Sequence, residues 1–188
     1  SIMLVDGNTG NIIASLYGDD DNDQIGLAAI TVLDNGHIVI YSGTDNHNGL
    51  SFAGSVRILN TSTGGQLGNT YYGSGGINST EEPRLYSSIQ TLVNGNIAIL
   101  SGRQYTDTQQ TDHYILLDSH SGNMINDQIQ CERCRLYGLN NGNLVQVSIG
   151  SQSLNSTLFE VALLSGSTGL PTGSSFGELE LGESIGHF

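Results

Sequence analysis

Apolar residues fall in short runs along this chain, and each run is closed by a polar turn ending in Gly. One phrase occurs four times: Leu4-Val5-Asp6-Gly7-Asn8-Thr9-Gly10, Ile58-Leu59-Asn60-Thr61-Ser62-Thr63-Gly64, Leu116-Leu117-Asp118-Ser119-His120-Ser121-Gly122 and Leu163-Leu164-Ser165-Gly166-Ser167-Thr168-Gly169. A second marker keeps step with it, at Asn35-Gly36, Asn94-Gly95 and Asn141-Gly142. Two markers in phase at about 50 residues predict repeats of one supersecondary unit.

Each repeat reads as about four strands. The first holds Ile2–Asp6, Ile12–Gly18, Ala28–Asp34 and His37–Gly43; the second holds Ser55–Asn60, Gln66–Tyr72, Ser87–Val93 and Asn96–Gly102. The third holds Tyr114–Asp118, Met124–Gln130, Arg135–Leu139 and Leu144–Ile149, and the fourth has only Glu160–Leu164 and Phe176–Leu181. Repeat boundaries therefore fall near 1–53, 54–112, 113–157 and 158–188, the last being partial, within a single domain. Asn-Gly between apolar runs predicts a type I′ hairpin turn, with positive φ at both central residues. Val39 and Tyr41 alternate with Ile38 and Ile40, and doublets such as Leu116-Leu117 predict strands covered on both faces. No stretch has helix periodicity with caps.

The expected fold is all-β, with repeats of about four antiparallel strands forming β-propeller-like blades. Three full repeats and part of a fourth fall short of a closed ring of about 4–8 blades, so the ring is expected to be incomplete. A longer array, strands supplied by another subunit, or an open stack would each account for that. Unprotected strand edges pair with other chains, which predicts assembly.

Composition narrows the partners. Of 188 residues, 26 are Gly and 2 are Pro, so turns rest on Gly and Asn; Trp is absent. Asp and Glu number 18 against 5 Lys plus Arg, for a net charge of −13. All five cations are Arg, at 57, 84, 103, 133 and 135. Nucleic acid needs a basic footprint, and anionic membranes are disfavoured for the same reason. No apolar run approaches the ~20 residues of a membrane-spanning helix. Cations such as Ca²⁺ and neutral glycans are the fitting counter-partners, beside the plainer reading that the charge only keeps the surface soluble. The sequence opens on Ser1 without a signal-peptide pattern, as a processed product or piece would.

The repeat text resembles a known but uncharacterised family. The residues are Asp23-Gln24-Ile25-Gly26, Ile30-Thr31-Val32-Leu33-Asp34-Asn35-Gly36-His37-Ile38-Val39-Ile40, Ala53-Gly54-Ser55-Val56-Arg57-Ile58-Leu59-Asn60 and Thr63-Gly64. They are similar to the propeller-like repeats of large bacterial secreted and surface proteins, including haemagglutinin- and autotransporter-type adhesins. The third repeat keeps Asn141-Gly142-Asn143-Leu144-Val145 without the Asp-Gln-x-Gly element, and the fourth keeps only Ser167-Thr168-Gly169. The likeness covers about two-thirds of the chain. It implies an extracellular or cell-surface module and carries no catalytic residues. The family's frequent Trp near the hairpin exit is missing here.

Asp19, Asp21 and Asp23 follow D-x-D-x-D, a spacing that can turn carboxylates toward one hard cation. The full EF-hand pattern is absent, and a solvated acidic turn is the competing reading. Cys131 and Cys134 are the only cysteines. A local disulfide pinning a bend ranks ahead of free thiols, and zinc or redox use comes last, because two further zinc ligands are lacking. Asn60, Asn78 and Asn155 open N-x-[ST] sequons, which predict surface turns if they are glycosylated. Asp45 and His47 share a polar loop that could coordinate or bind sugar, with a plain solvent loop as the alternative. Tyr71, Tyr72, Tyr105 and Tyr137 are candidate sugar-stacking residues, or amphipathic strand residues. Glu81-Glu82 reads as solvated, and no nucleophile elbow occurs.

The leading expectation is a non-enzymatic extracellular structural or adhesive module that assembles with copies of itself or adjoining repeats through β-strand edges. A Ca²⁺- or glycan-binding propeller is the second. An enzyme is the third, for want of a convergent polar cluster.

Overall fold

The computed structural model describes residues 1–18, 25, 29–42, 45, 54–72, 89–105, 110–153, 156–173 and 176–179. Its regular elements are fourteen β-strands: β1 (Ile2–Val5), β2 (Ile12–Leu16), β3 (Ala29–Val32), β4 (Ile38–Ser42), β5 (Ser55–Leu59), β6 (Gln66–Tyr72), β7 (Ile89–Thr91), β8 (Asn96–Tyr105), β9 (Gln110–Asp118), β10 (Met124–Glu132), β11 (Arg135–Gly138), β12 (Leu144–Ser153), β13 (Ser156–Leu164) and β14 (Phe176–Leu179). All pairings among the described residues are antiparallel. The strands form a two-stranded sheet, β1-β2, and three four-stranded sheets, β3-β4-β5-β6, β7-β8-β9-β10 and β11-β12-β13-β14. Among the described residues no closed barrel or ring joins them.

The repeated phrase closes the last hairpin of every sheet by one mechanism. The closing-Gly amide donates to the carbonyl of the phrase's first polar residue: Gly10 to Asp6 and Gly122 to Asp118 at 2.8 Å, Gly64 to Asn60 and Gly169 to Ser165 at 2.7 Å. The side chain of that first residue accepts from the amides beyond it. Asp6 Oδ1 takes Asn8 N and Thr9 N, Asn60 Oδ1 takes Ser62 N and Thr63 N, and Asp118 Oδ1 takes His120 N and Ser121 N. These are Asx turns, and the closing residue must take positive φ, near 70° at all four glycines.

The Asn-Gly hairpins form where expected, but their turn is not type I′. Leu33 pairs with His37, and Gly36 N donates to Leu33 O at 2.9 Å, so the loop is Asp34-Asn35-Gly36. Only the glycine has positive φ: 81° at Gly36, 85° at Gly95 and 82° at Gly142. This is the three-residue pattern, in which a normal turn is followed by one left-handed residue. It relieves Asn of positive φ and leaves Asn35 Oδ1 to accept from His37 N at 3.0 Å.

The sheets group the strands in a different phase from the sequence repeats. Each four-stranded sheet begins with the Asn-Gly hairpin and ends with the Thr-Gly or Ser-Gly hairpin. Strands β13 and β14, in the partial repeat 158–188, complete the sheet opened by β11 and β12. The two-strand unit is at the other end: β1 and β2 hold the third and fourth strand positions.

Four layers follow one another in chain order, and the apolar doublets explain how. Ile38, Ile40 and Leu59 on one face of the second layer share a core with Ile2, Leu4 and Leu16 of the first. Val39, Tyr41, Val56 and Ile58 on its other face share a core with Ile97, Ile99, Ile115 and Leu117 of the third. Ala98, Leu100, Tyr114 and Leu116 then meet Leu136, Leu144 and Leu164 of the fourth. Strands covered on both faces must be apolar at consecutive positions, as the doublets are. Burying one such Leu or Ile is worth roughly 1.5–3 kcal/mol. The chain passes from third to fourth layer through a tight bend, where Arg133 has φ 44° and a Cys131–Cys134 disulfide ties β10 to β11. Among the described residues no helix is long and apolar enough to cross a membrane.

Candidate functional site

The Asn-Gly turns and the Thr-Gly or Ser-Gly turns lie at one end of the sheets, because a four-strand meander returns its first and third turns to the same side. At this turn end, side-chain amides and a phenol of one layer donate to the turn of the next. Asn35 Nδ2 reaches Ser119 O and Oγ at 3.3 and 3.1 Å, and Asn96 Nδ2 reaches Gly166 O at 2.6 Å. Tyr71 O–H donates to Gly122 O at 2.8 Å, and Asn126 Nδ2 donates to Thr168 O at 2.7 Å. Ser119 and Gly166 are the second polar positions of their phrases, so the first two bonds reach equivalent acceptors from donors two positions apart in the repeat. Sequence reasoning missed these donors, although the Asn-Gly marker at Asn35 and the Asn beyond it at Asn96 carried the signal.

A cleft of about 290 Å³ opens between the Asn-Gly turns of the second and third layers. Leu33, Asn35, Val93, Asn94, Ser119 and His120 line it. Asp118, Ser119 and His120 bring the residue types of a nucleophilic triad to its wall, but their geometry is a turn. Asp118 Oδ1 and Ser119 Oγ both approach the same ring atom, His120 Nδ1, at 3.7 and 3.5 Å. A triad needs the acid on one ring nitrogen and the nucleophile on the other. Asp118 Oδ1 is already the acceptor for two turn amides, and Ser119 Oγ already accepts from Asn35. The cleft offers amides, carbonyls and an exposed imidazole, which suit hydrogen bonding to a neutral polar surface.

The opposite end holds a buried ion pair. Arg57 Nη2 lies 3.3 Å from Asp45 Oδ2, and both side chains are nearly inaccessible. Arg57 Nη1 also donates to Tyr17 O at 3.5 Å, linking the first two layers, while Gly54 N donates to Asp45 O at 2.9 Å. Asp45 is thus no solvent-loop residue, contrary to the plain sequence reading, because the Arg57 guanidinium in the adjoining strand needs a counter-charge. Asp45 lies between β4 and β5, 12 residues before Arg57, and the pair has no local sequence signal. In the third layer, buried Asp112 Oδ2 accepts from Cys134 N at 3.1 Å, and Tyr114 O–H donates to Cys134 O at 3.1 Å. Burial pushes the Tyr41 hydroxyl far above its ordinary range.

Asp19, Asp21 and Asp23 lie outside the described residues, as do His47, Asn78, Glu81, Glu82 and Asn155. Among the described residues no three His, Cys, Asp or Glu side chains gather to hold a metal ion. Asn60 lies in the second layer's turn, with its Oδ1 engaged by that turn's amides. Tyr71 is an interlayer donor within the core margin, whereas Tyr137 is exposed on the outer face of the fourth layer. Cys131 and Cys134 are joined as the bend reading expected.

Neither protein-family models nor curated proteins gave a match to this chain.

Proposed function

We propose that this chain is a non-enzymatic, propeller-like repeat module with a structural or adhesive role outside the cell, assembling with other copies of itself or with adjoining repeats of a longer chain. The observation that carries this reading is the state of the two terminal layers. Each internal layer packs apolar residues of both faces against its neighbours. The first layer turns Met3, Val5 and Ile12 outward, and all three are exposed. The fourth turns Tyr137, Val145, Val147, Val161 and Leu163 outward, at the positions that alternate with its buried Leu136, Leu144 and Leu164. Apolar faces of this extent, on a chain so acidic, mark interaction surfaces rather than solvent surfaces. Among the described residues the outer edge of β1 pairs with no further strand, and such edges recruit strands.

The four-strand meander, repeated with the same turns, supports the blade reading. The disulfide favours an oxidising compartment, and the resemblance to surface-protein repeats points the same way. Light scattering with electron microscopy of the same sample tests the proposal. Particles that grow with concentration are expected. A compact monomer at every concentration would overturn it.

A further inference from the structure

The turn end is closed at one layer junction and open at another. Between the third and fourth layers the Asn-Gly turns are in contact. A Cβ on Gly142 would meet Asn94 at 3.3 Å, and one on Gly138 would meet Leu92 Cδ2 at 3.0 Å and Thr91 O at 3.2 Å. Between the second and third layers the position equivalent to Gly138 is Thr91, three residues before its Asn-Gly. Thr91 carries a side chain there and lines the cleft of about 290 Å³. A Cβ on Gly95 would find His120 and Ser119, of its own layer, nearest to it. The cleft is thus walled by two adjoining internal layers, and all its lining residues are described.

Its two sides differ in chemistry. Leu33, Leu92 and Ile97, none more than 5% exposed, line it from the core side. Exposed Val93 adds an apolar edge at the mouth. The rest of the rim is polar. Asn94 Oδ1 accepts from Asn96 N at 3.1 Å, which leaves Nδ2 as a donor. Asp34 adds a carboxylate acceptor. His120 Nδ1 lies 3.5 Å from Ser119 Oγ and 3.7 Å from Asp118 Oδ1, which leaves Nε2 for a ligand. The ring rests beside Gly95, where a Cβ would come within 2.9 Å of its Cε1.

A ligand for this cleft needs an apolar group for the floor and hydroxyl or amide groups for the rim. No Arg lines the cleft, and a net charge of −13 repels anions, so phosphate and carboxylate ligands do not suit it. A plain hexose would set hydroxyls against the apolar floor and leave them without partners. An acetamido sugar meets both demands with one ring.

We propose that the cleft between the second and third layers is a binding site for a neutral saccharide that carries an acetamido group. The acetamido methyl packs toward Leu33 and Leu92, and its carbonyl accepts from Asn94 Nδ2. Ring hydroxyls donate to Asp34 and bond with His120 Nε2. The site is complete within one chain, so it does not depend on assembly.

The isotope-labelled full chain is titrated with N,N′,N″-triacetylchitotriose and, separately, with maltotriose, and amide shifts are followed by NMR. Saturable shifts at Asn35, Asn94, Gly95 and His120 are expected with the acetamido trisaccharide, with maltotriose at least tenfold weaker. Asn94→Asp keeps the turn acceptor and removes the donor, and His120→Ala removes the ring. Each should weaken binding at least tenfold, whereas Tyr137→Glu, on the outer face of the fourth layer, should leave it unchanged. Asn94 and His120 are exposed, so both replacements spare the fold, which thermal melting verifies. No saturable shift, or binding indifferent to both cleft variants, overturns the site. Maltotriose binding as tightly as the acetamido sugar overturns the acetamido preference. Sugar binding is read on monomer and assembly alike, so failure of the site leaves the assembly reading standing.

Discussion

Asn35 Nδ2 donates to both the carbonyl and the hydroxyl of Ser119, 84 residues away and one layer on. The same Asn accepts from His37 N through Oδ1, so one side chain shapes its own turn and grips the next layer's. Asn35→Asp keeps the acceptor and loses the donor; Asn35→Ala loses both. Urea unfolding should give a loss of about 1 kcal/mol for the Asp variant and about 2 kcal/mol for the Ala variant. An Asp variant as stable as the wild type would mean that the interlayer bond contributes nothing, and equal losses would mean the same of the bond from His37 N.

Gly10 and Gly122 close equivalent turns with φ of 72° and 70°. Their surroundings differ. A Cβ on Gly122 would run into Leu67 O of the preceding layer, whereas one on Gly10 would meet open space. Gly10→Ala should cost only the left-handed backbone, about 1–2 kcal/mol. Gly122→Ala should cost that plus a forced separation of layers, about 1–3 kcal/mol more. Melting of the two variants side by side checks the difference.

Arg57 and Asp45 form a buried pair, so removing either leaves a charge without its counter-ion. Asp45→Ala should destabilise by about 3–5 kcal/mol. Replacing both residues with Leu should cost less than that single change, because the charge and its desolvation go together. Denaturant midpoints of the two variants decide it.

The Asp6 carboxyl is held below its ordinary value by the amides of Thr9 and Asn8, in that order. A lowered folded-state value means that its stabilisation is present above the unfolded value, near 3.9, and is lost as pH falls through the folded one. Asn60 already fills the equivalent position in the second layer, so Asp6→Asn should keep the turn. It should also remove this residue's share of acid sensitivity. Melting curves of both proteins from pH 7 to pH 3 should converge at the acid end; parallel curves would refute the assignment.

Much of this architecture is legible because turn chemistry is local. The phrase Asp-Gly-Asn-Thr-Gly encodes its own Asx turn, and Leu116-Leu117 encodes a strand with two dry faces. The phase of the sheets is not legible, since a run of hairpins can be cut at either turn. Loop length gives no help: residues 43–54 separate β4 from β5 within one sheet, while 133–134 alone separate β10 from β11 in different sheets. The change of layer there is made by a left-handed Arg133 and a disulfide, neither of which has a strand signature. The Arg57–Asp45 pair was hidden for a related reason, since charges that meet 12 residues apart leave no periodicity. The type I′ expectation failed because Asn-Gly also suits the three-residue loop, where only Gly needs positive φ.

Sedimentation velocity of the wild-type chain beside Val147→Glu, over a hundredfold range of concentration, tests self-assembly most directly. Val147 belongs to the outward face of the fourth layer, so a charge there should spoil association and spare the fold. Wild type that sediments faster as concentration rises, with a variant that stays monomeric, is the predicted result. Two identical monomers throughout would contradict it.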